Sequence, residues 1–152
     1  GVLMSADSDM RSAVGLVPPG LDFPPVDLVS APPLAEATVA LVTTAALARP
    51  GEPWRDQTHD YRLFDREAEG LIMAHNSTNL DRSGFALDRN VAFPIDRLVE
   101  MEAEGVIGKV APRHASFIGS TFELSTFLFD TGPRLAAELR GDGVDVVLLT
   151  PV

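Results

Sequence analysis

Short apolar runs alternate with helix-period segments along most of the chain. Ala37 to Leu47 reads ATVALVTTAAL, and its β-branched, apolar first half has the length of a buried strand, which predicts the first core strand. Leu71 to Ala74 is a second run of this kind, and Val144 to Val152, VDVVLLTPV, reads as the clearest buried strand of all. Tyr61 to Phe64, Val106 to Val110 and Ala115 to Ile118 are shorter apolar stretches. Between them, Pro94 precedes Ile95, Leu98, Val99, Met101 and Glu102 at helical spacing before Gly105, which predicts a helix of about three turns. Leu135, Ala136 and Leu139, set between Gly132-Pro133 and Gly141, predict another. Strands alternating with helices imply an α/β fold, a Rossmann-like parallel or mixed sheet flanked by helices.

The first 34 residues break this pattern. Pro18, Pro19, Pro24, Pro25, Pro32 and Pro33 each remove a backbone donor and bias the preceding residue toward extended conformations. A Pro-rich N-terminal arm is expected over 1–34, with its apolar members Leu16, Val17, Leu21, Phe23, Val26 and Leu28 lying across the domain or a partner subunit. Residues 35–152 are then one α/β domain, a size that buries a core without disulfides or metal.

Composition narrows the function classes. Twenty-two acidic against 12 basic residues give a net charge of -10, which argues against nucleic acid or an anionic membrane surface as partner. Without cysteine, this chain offers no thiol nucleophile, disulfide scaffold or zinc ribbon. No apolar run reaches the roughly 18 residues of a membrane-spanning helix, and no secretory leader pattern opens the chain, so a cytoplasmic protein is expected.

Candidate chemistry collects where apolar runs end. After Leu71–Ala74 the sequence turns polar, and His75, Asn76, Ser77, Thr78, Asn79 and Asp81 bring five kinds of hydrogen-bonding side chain into seven residues. Such residues also serve ordinary loops by bonding nearby backbone. His75 is the candidate catalytic residue, for hydrogen bonding or proton transfer near neutral pH. Asn76, Ser77, Thr78 and Asn79 are candidate substrate-binding residues. So are Thr43 and Thr44, near the C-terminal end of the first strand, where open α/β sheets place ligands. His114, Ser116 and Thr150 complete that set, while Asn90 and Asp96 are expected to fix a loop and cap a helix. His59, His75, His114 and Asp81 show no recognised metal-ligand spacing, and no metal is expected. Dinucleotide, P-loop and G-x-S-x-G motifs are absent.

Five runs in order, VALVTT from Val39, HNSTNLDRSGF from His75, NVAFPIDRL from Asn90, EGVIG from Glu104 and DVVLLTPV from Asp145, resemble the selenoprotein B family of glycine, sarcosine, betaine and D-proline reductases. The D-proline-reductase-like branch is the nearest in appearance. That resemblance implies reductive cleavage of a C–N bond in an amine or amino-acid substrate, with a selenocysteine or cysteine as nucleophile and a pyruvoyl group on a partner subunit holding the substrate amine. It also implies that the nucleophile follows a strand ending like LLTPV, directly after Val152, and that Thr150 flanks it. The resulting expectation is a reductase subunit or its N-terminal fragment, truncated at a selenocysteine position. Two alternatives stay open, a binding or assembly subunit on the same scaffold and a thiol-independent enzyme built on the His75 loop. A last strand with no covering helix predicts a homo-oligomer or a partner reductase subunit.

Overall fold

The computed structural model describes residues 29–54, 59–75, 77, 80–119 and 124–152. The proposed arm lies almost wholly outside these residues, apart from a 3-10 turn that opens at its end, Leu34–Glu36. The fold is α/β. Its strands are β1 (Thr38–Thr43), β2 (Leu47–Ala48), β3 (Arg62–Asp65), β4 (Ile72–Met73), β5 (Lys109–Val110), β6 (Arg113–Ser116) and β7 (Val146–Thr150). Its helices are α1 (Ser83–Leu87), α2 (Ile95–Ala103) and α3 (Gly132–Gly141), the last entered through a π turn at Phe127–Thr131.

β1 is the strand to which the sheet is tied. β7 runs parallel to it along one edge, from Val39↔Val146 to Thr43↔Thr150. On its other edge β1 pairs in parallel first with β5, at Val39↔Val110, and then with β6, at Val42↔Ala115. The β5–β6 side advances two residues further than β1 between these pairs, so Ala111 and Pro112 form a bulge in one nearly continuous strand. Proline has no N–H for a ladder, which suits it to that position. β3 closes this side antiparallel to β6, making the sheet mixed.

Alternation along β1 assigns its faces. Val39 and Leu41 pack with Ile95 and Leu98 of α2, with Phe85 of α1 and with Phe93. Ala40 and Val42 point the other way, toward Leu135 and Leu139 of α3. Helices therefore cover both faces of β1, and full burial of Leu41 stabilises the fold by about 1.5–3 kcal/mol. A smaller cluster of Ala46, Ala48, Trp54 and Ile118 sits under the antiparallel pair β2–β4.

Three sequence expectations need correction. The Leu71–Ala74 run forms only the two-residue β4, paired with β2 in a ladder of its own rather than with the main sheet. The last run forms β7 in the right place, yet as an edge strand with Leu148 42% and Leu149 68% exposed instead of a buried one. Apolar composition fits a position that is to be covered, but it cannot tell whether the cover comes from the same polypeptide. The Ala115–Ile118 stretch belongs to a strand that begins earlier, at Arg113, because Arg113 and His114 pair with Asp65 and Phe64 of β3.

Candidate functional site

The parallel strands β1, β6 and β7 all run toward one edge, and their ends are stitched together there. Phe117 N–H donates to the Thr43 carbonyl at 2.8 Å, and Gly119 N–H to the Thr44 carbonyl at 3.1 Å. Thr44 N–H donates to the Thr150 carbonyl at 3.4 Å. Side chains add to the stitching. The Thr43 hydroxyl donates to the Thr150 carbonyl at 3.0 Å and accepts Ala45 N–H at 3.2 Å. The Thr44 hydroxyl accepts Val152 N–H at 2.9 Å and donates to the Val152 carbonyl at 3.3 Å. Thr150 Oγ1 donates to the Ala92 carbonyl at 2.9 Å, tying β7 to the segment that leads into α2.

His75 enters the same edge from another direction. Ala74 N–H donates to the Ala46 carbonyl, which carries the β2–β4 ladder up to the histidine. Ala46 itself is a buried alanine at φ 51, a left-handed conformation that costs about 1 kcal/mol or more, held by its hydrogen bonds to Phe117 and Ala74. His75 is only 6% exposed. Its Nδ1 accepts Ser77 N–H at 3.1 Å, so in the neutral ring the proton resides on Nε2. A Cβ placed on Gly119 would lie 3.5 Å from that Nε2 and 3.4 Å from the carbonyl oxygens of both Thr44 and Val152. Gly119 therefore marks where the imidazole, the end of β1 and the end of β7 meet.

The candidate residues separate into groups. Thr43, Thr44, Thr150 and His75 come together at this edge, and Ser77 fixes the His75 ring through its backbone. Asn76, Thr78 and Asn79 lie outside the described residues. Ser116 is fully buried, accepting Leu47 N–H at 2.9 Å and donating to the Phe117 carbonyl at 3.2 Å, which places it under the edge rather than on it. His114 is fully buried in the bulge, where its Nδ1 accepts Leu41 N–H at 3.0 Å. It supplies the ladder bond that β5 and β6 leave out. Among the described residues its Nε2 has no partner, and burial, with Arg66 nearby, pushes its pKa down to about 4.

Asn90 and Asp96 fasten the approach to α2. Asn90 Oδ1 accepts Asp96 N–H at 3.2 Å, while the Asp96 carboxylate takes a two-pronged contact from Arg89, at 2.5 and 3.1 Å, and one from Asn90 Nδ2. These bonds hold the Asp96 carboxyl at about 2. Sequence reasoning passed over Gly119 and Arg82. Gly119 was visible as a lone glycine closing the Ala115–Ile118 stretch; Arg82 sits in the quoted LDRSGF run, and its Nη1 donates to the His75 carbonyl at 3.1 Å. No three metal-ligating side chains gather among the described residues.

The family model for glycine/sarcosine/betaine reductase selenoprotein B matches residues 21–152. The chain belongs to this family. D-proline reductase subunit gamma of Acetoanaerobium sticklandii is 33% identical over 129 residues, which are 84% of this chain and 53% of that protein. The glycine reductase complex component B subunit gamma of Carboxydothermus hydrogenoformans is 31% identical over 126 residues, 77% of this chain and 28% of its own length. The sarcosine reductase complex component B subunit beta of Peptoclostridium acidaminophilum is 27% identical over 124 residues, with the same coverage. This selenoprotein B family chain thus spans about half of the first relative and under a third of the other two. No solved structure matches it. No helix among the described residues is long and apolar enough to cross a membrane.

Proposed function

We propose that this chain forms part of a reductase component that cleaves a C–N bond in a small amine or amino acid, with the edge at His75, Gly119, Thr44 and Val152 facing the substrate. The carrying observation is that convergence at the ends of three parallel strands, the usual ligand face of such a sheet. In the reaction the C–N bond breaks and one C–H and one N–H bond form, so two electrons and two protons enter; a dithiol supplies them and leaves as a disulfide.

The edge suits the selenocysteine or cysteine that the family resemblance puts after Val152. Thr44 holds both backbone groups of Val152, and the absent Cβ of Gly119 leaves the Val152 carbonyl and His75 Nε2 facing one small space. Such a residue supplies the nucleophile when present. Its partner in the reading is another subunit, carrying the pyruvoyl group that holds the amine. His75 Nε2 then donates to the departing nitrogen, a role worth about a hundredfold or more in rate.

A family subunit containing this chain, combined with its neighbouring subunits and a dithiol, is to be given glycine, sarcosine, betaine and D-proline, with products read by mass spectrometry. A reduced, nitrogen-cleaved product that falls at least tenfold in His75→Asn supports the reading. Full turnover in that variant, or no product from any amine, refutes it.

A second reading, in which the chain acts through assembly, is favoured by β7, whose outer edge is unpaired among the described residues and which carries exposed Val147, Leu148 and Leu149 and no charged residue. Sedimentation of the chain as a dimer or larger species, lost on Leu149→Lys, is its expected sign. A monomer at micromolar concentration opposes it.

A further inference from the structure

Gly119 is a glycine that its own backbone does not require. Gly105 sits at φ 72, where a side chain strains the chain, and a Cβ on Gly108 would lie 2.5 Å from the Glu36 carbonyl carbon. Neither reason holds at Gly119, which is outside the left-handed region and whose added Cβ would meet its nearest neighbours at 3.4 and 3.5 Å, ordinary contact distances. What the missing methyl keeps open is a space bordered by three polar atoms, the carbonyl oxygens of Thr44 and Val152 and Nε2 of His75.

The hydrogen-bonding capacity of these atoms is of both signs. The Thr44 carbonyl accepts Gly119 N–H at 3.1 Å, and the Val152 carbonyl accepts the Thr44 hydroxyl at 3.3 Å. A carbonyl oxygen has two lone pairs, so among the described residues each keeps one. His75 Nδ1 accepts Ser77 N–H, which leaves the proton of the neutral ring on Nε2. Two acceptors beside one donor repel a carboxylate, whose oxygens would face two carbonyls. They complement an uncharged amine nitrogen, whose lone pair accepts from Nε2 while its N–H bonds donate to the oxygens. We propose that Gly119 is a specificity-determining residue, forming with the carbonyls of Thr44 and Val152 a subsite for the departing nitrogen that takes primary and secondary amines and rejects fully alkylated ones. This rests on the reading of the His75 edge as the substrate face. As the C–N bond breaks, the nitrogen leaves with the bonding pair and takes the Nε2 proton at that pair, while its remaining N–H stays on an oxygen. A fully alkylated nitrogen sets methyl groups against both acceptors and leaves them unpaired. Gly119→Ala fills the same space with a methyl group.

The test titrates the chain near neutral pH with methoxyamine and with its N,N-dimethyl derivative, both uncharged there, and follows the ring nitrogens of His75 by NMR. Methoxyamine should shift Nε2 saturably and bind at least about tenfold more tightly than the dimethyl form, the effect of losing two hydrogen bonds. In Gly119→Ala its binding should fall by a similar factor while the thermal melt stays near that of the unmodified chain, because the methyl meets only ordinary contacts. Equal binding of the two probes overturns the subsite, as does undiminished binding of methoxyamine to Gly119→Ala or a His75 ring that responds to neither probe. Should the variant unfold, the two probes on the unmodified chain still decide. The His75 edge is judged apart, by turnover: a His75→Asn loss of turnover together with equal probe binding removes the Gly119 subsite alone, whereas full turnover in His75→Asn removes both.

Discussion

Acid should loosen this fold through one buried ring. His114 fills the bulge of the β5–β6 side with Nδ1 as the acceptor for Leu41 N–H, 3.0 Å away, and a proton on that nitrogen would set two donors against each other in the core. Burial is the main cause of the fall in its pKa from 6.5 to about 4, and the charge of Arg66 adds to it. The unfolded chain therefore binds more protons between these values, and stability falls as pH falls. The contribution is intact above pH 6.5, declines below it, and is fully lost near pH 4; at 1.36 kcal/mol per unit the loss is about 3 kcal/mol. The lowered carboxylates act further down, since Asp96 loses its share only between 3.8 and about 2 and Glu102 begins to lose its own near 4.5. Urea unfolding from pH 7 to about 5 thus isolates the histidine. His114→Gln retains an acceptor for Leu41 and does not titrate, so its stability should vary much less over that range, although it starts lower through lost packing against Phe93. Equal slopes in the two proteins would refute the reasoning, as would a charged His114 ring at pH 6 by NMR.

Thr44→Val removes both bonds to the Val152 backbone and should cost about 1–2 kcal/mol in urea unfolding, with faster hydrogen exchange at the Val152 amide and recovery in Thr44→Ser. Unchanged exchange would show that the hydroxyl does not hold the end of β7. Gly108→Ala should destabilise by about 1–3 kcal/mol or more, because its Cβ would sit 2.5 Å from the Glu36 backbone carbonyl carbon, whereas Gly141→Ala, with open space around it at the end of α3, should be neutral or stabilising. Thermal melts of the two variants that coincide would contradict this contrast.

The elements legible in the sequence were those whose pattern is complete within one segment. α2 announced itself by Pro94 and by Ile95 and Leu98 on one face, and α3 by Leu135 and Leu139 between glycines. β1 was legible because both of its faces are buried, so that apolar residues run through it without alternation. What escaped depends on distant partners. β2 and β4 are two residues each and exist only because Leu47 meets Met73 and Ala48 meets Ile72. α1 is five residues, too short to display a period. The bulge at Ala111-Pro112 shows only in the pairing with β1, and Ala46 at positive φ carries no mark in a residue type that rarely adopts it.

The same distinction separates the polar residues of the site. A threonine or serine at the end of a strand reads as free to meet a ligand, yet each hydroxyl here is engaged by backbone. Thr43 and Thr44 hold the end of β7, Thr150 holds the segment before α2, and Ser116 holds Leu47. Each such bond removes a group from the set that could meet substrate and adds to the rigidity of the edge. His75 is the exception, because its bond to Ser77 uses Nδ1 and points Nε2 at the space beside Gly119. In the proposed function the imidazole is therefore the reacting group, while the hydroxyls fix the geometry around it. That division predicts how variants should differ: Thr43→Val should lower stability and rate together, through β7, whereas His75→Asn should lower the rate with its unfolding midpoint shifted far less. A His75→Asn variant as unstable as Thr43→Val and still active would place the imidazole among the fasteners and leave this edge without its reacting group.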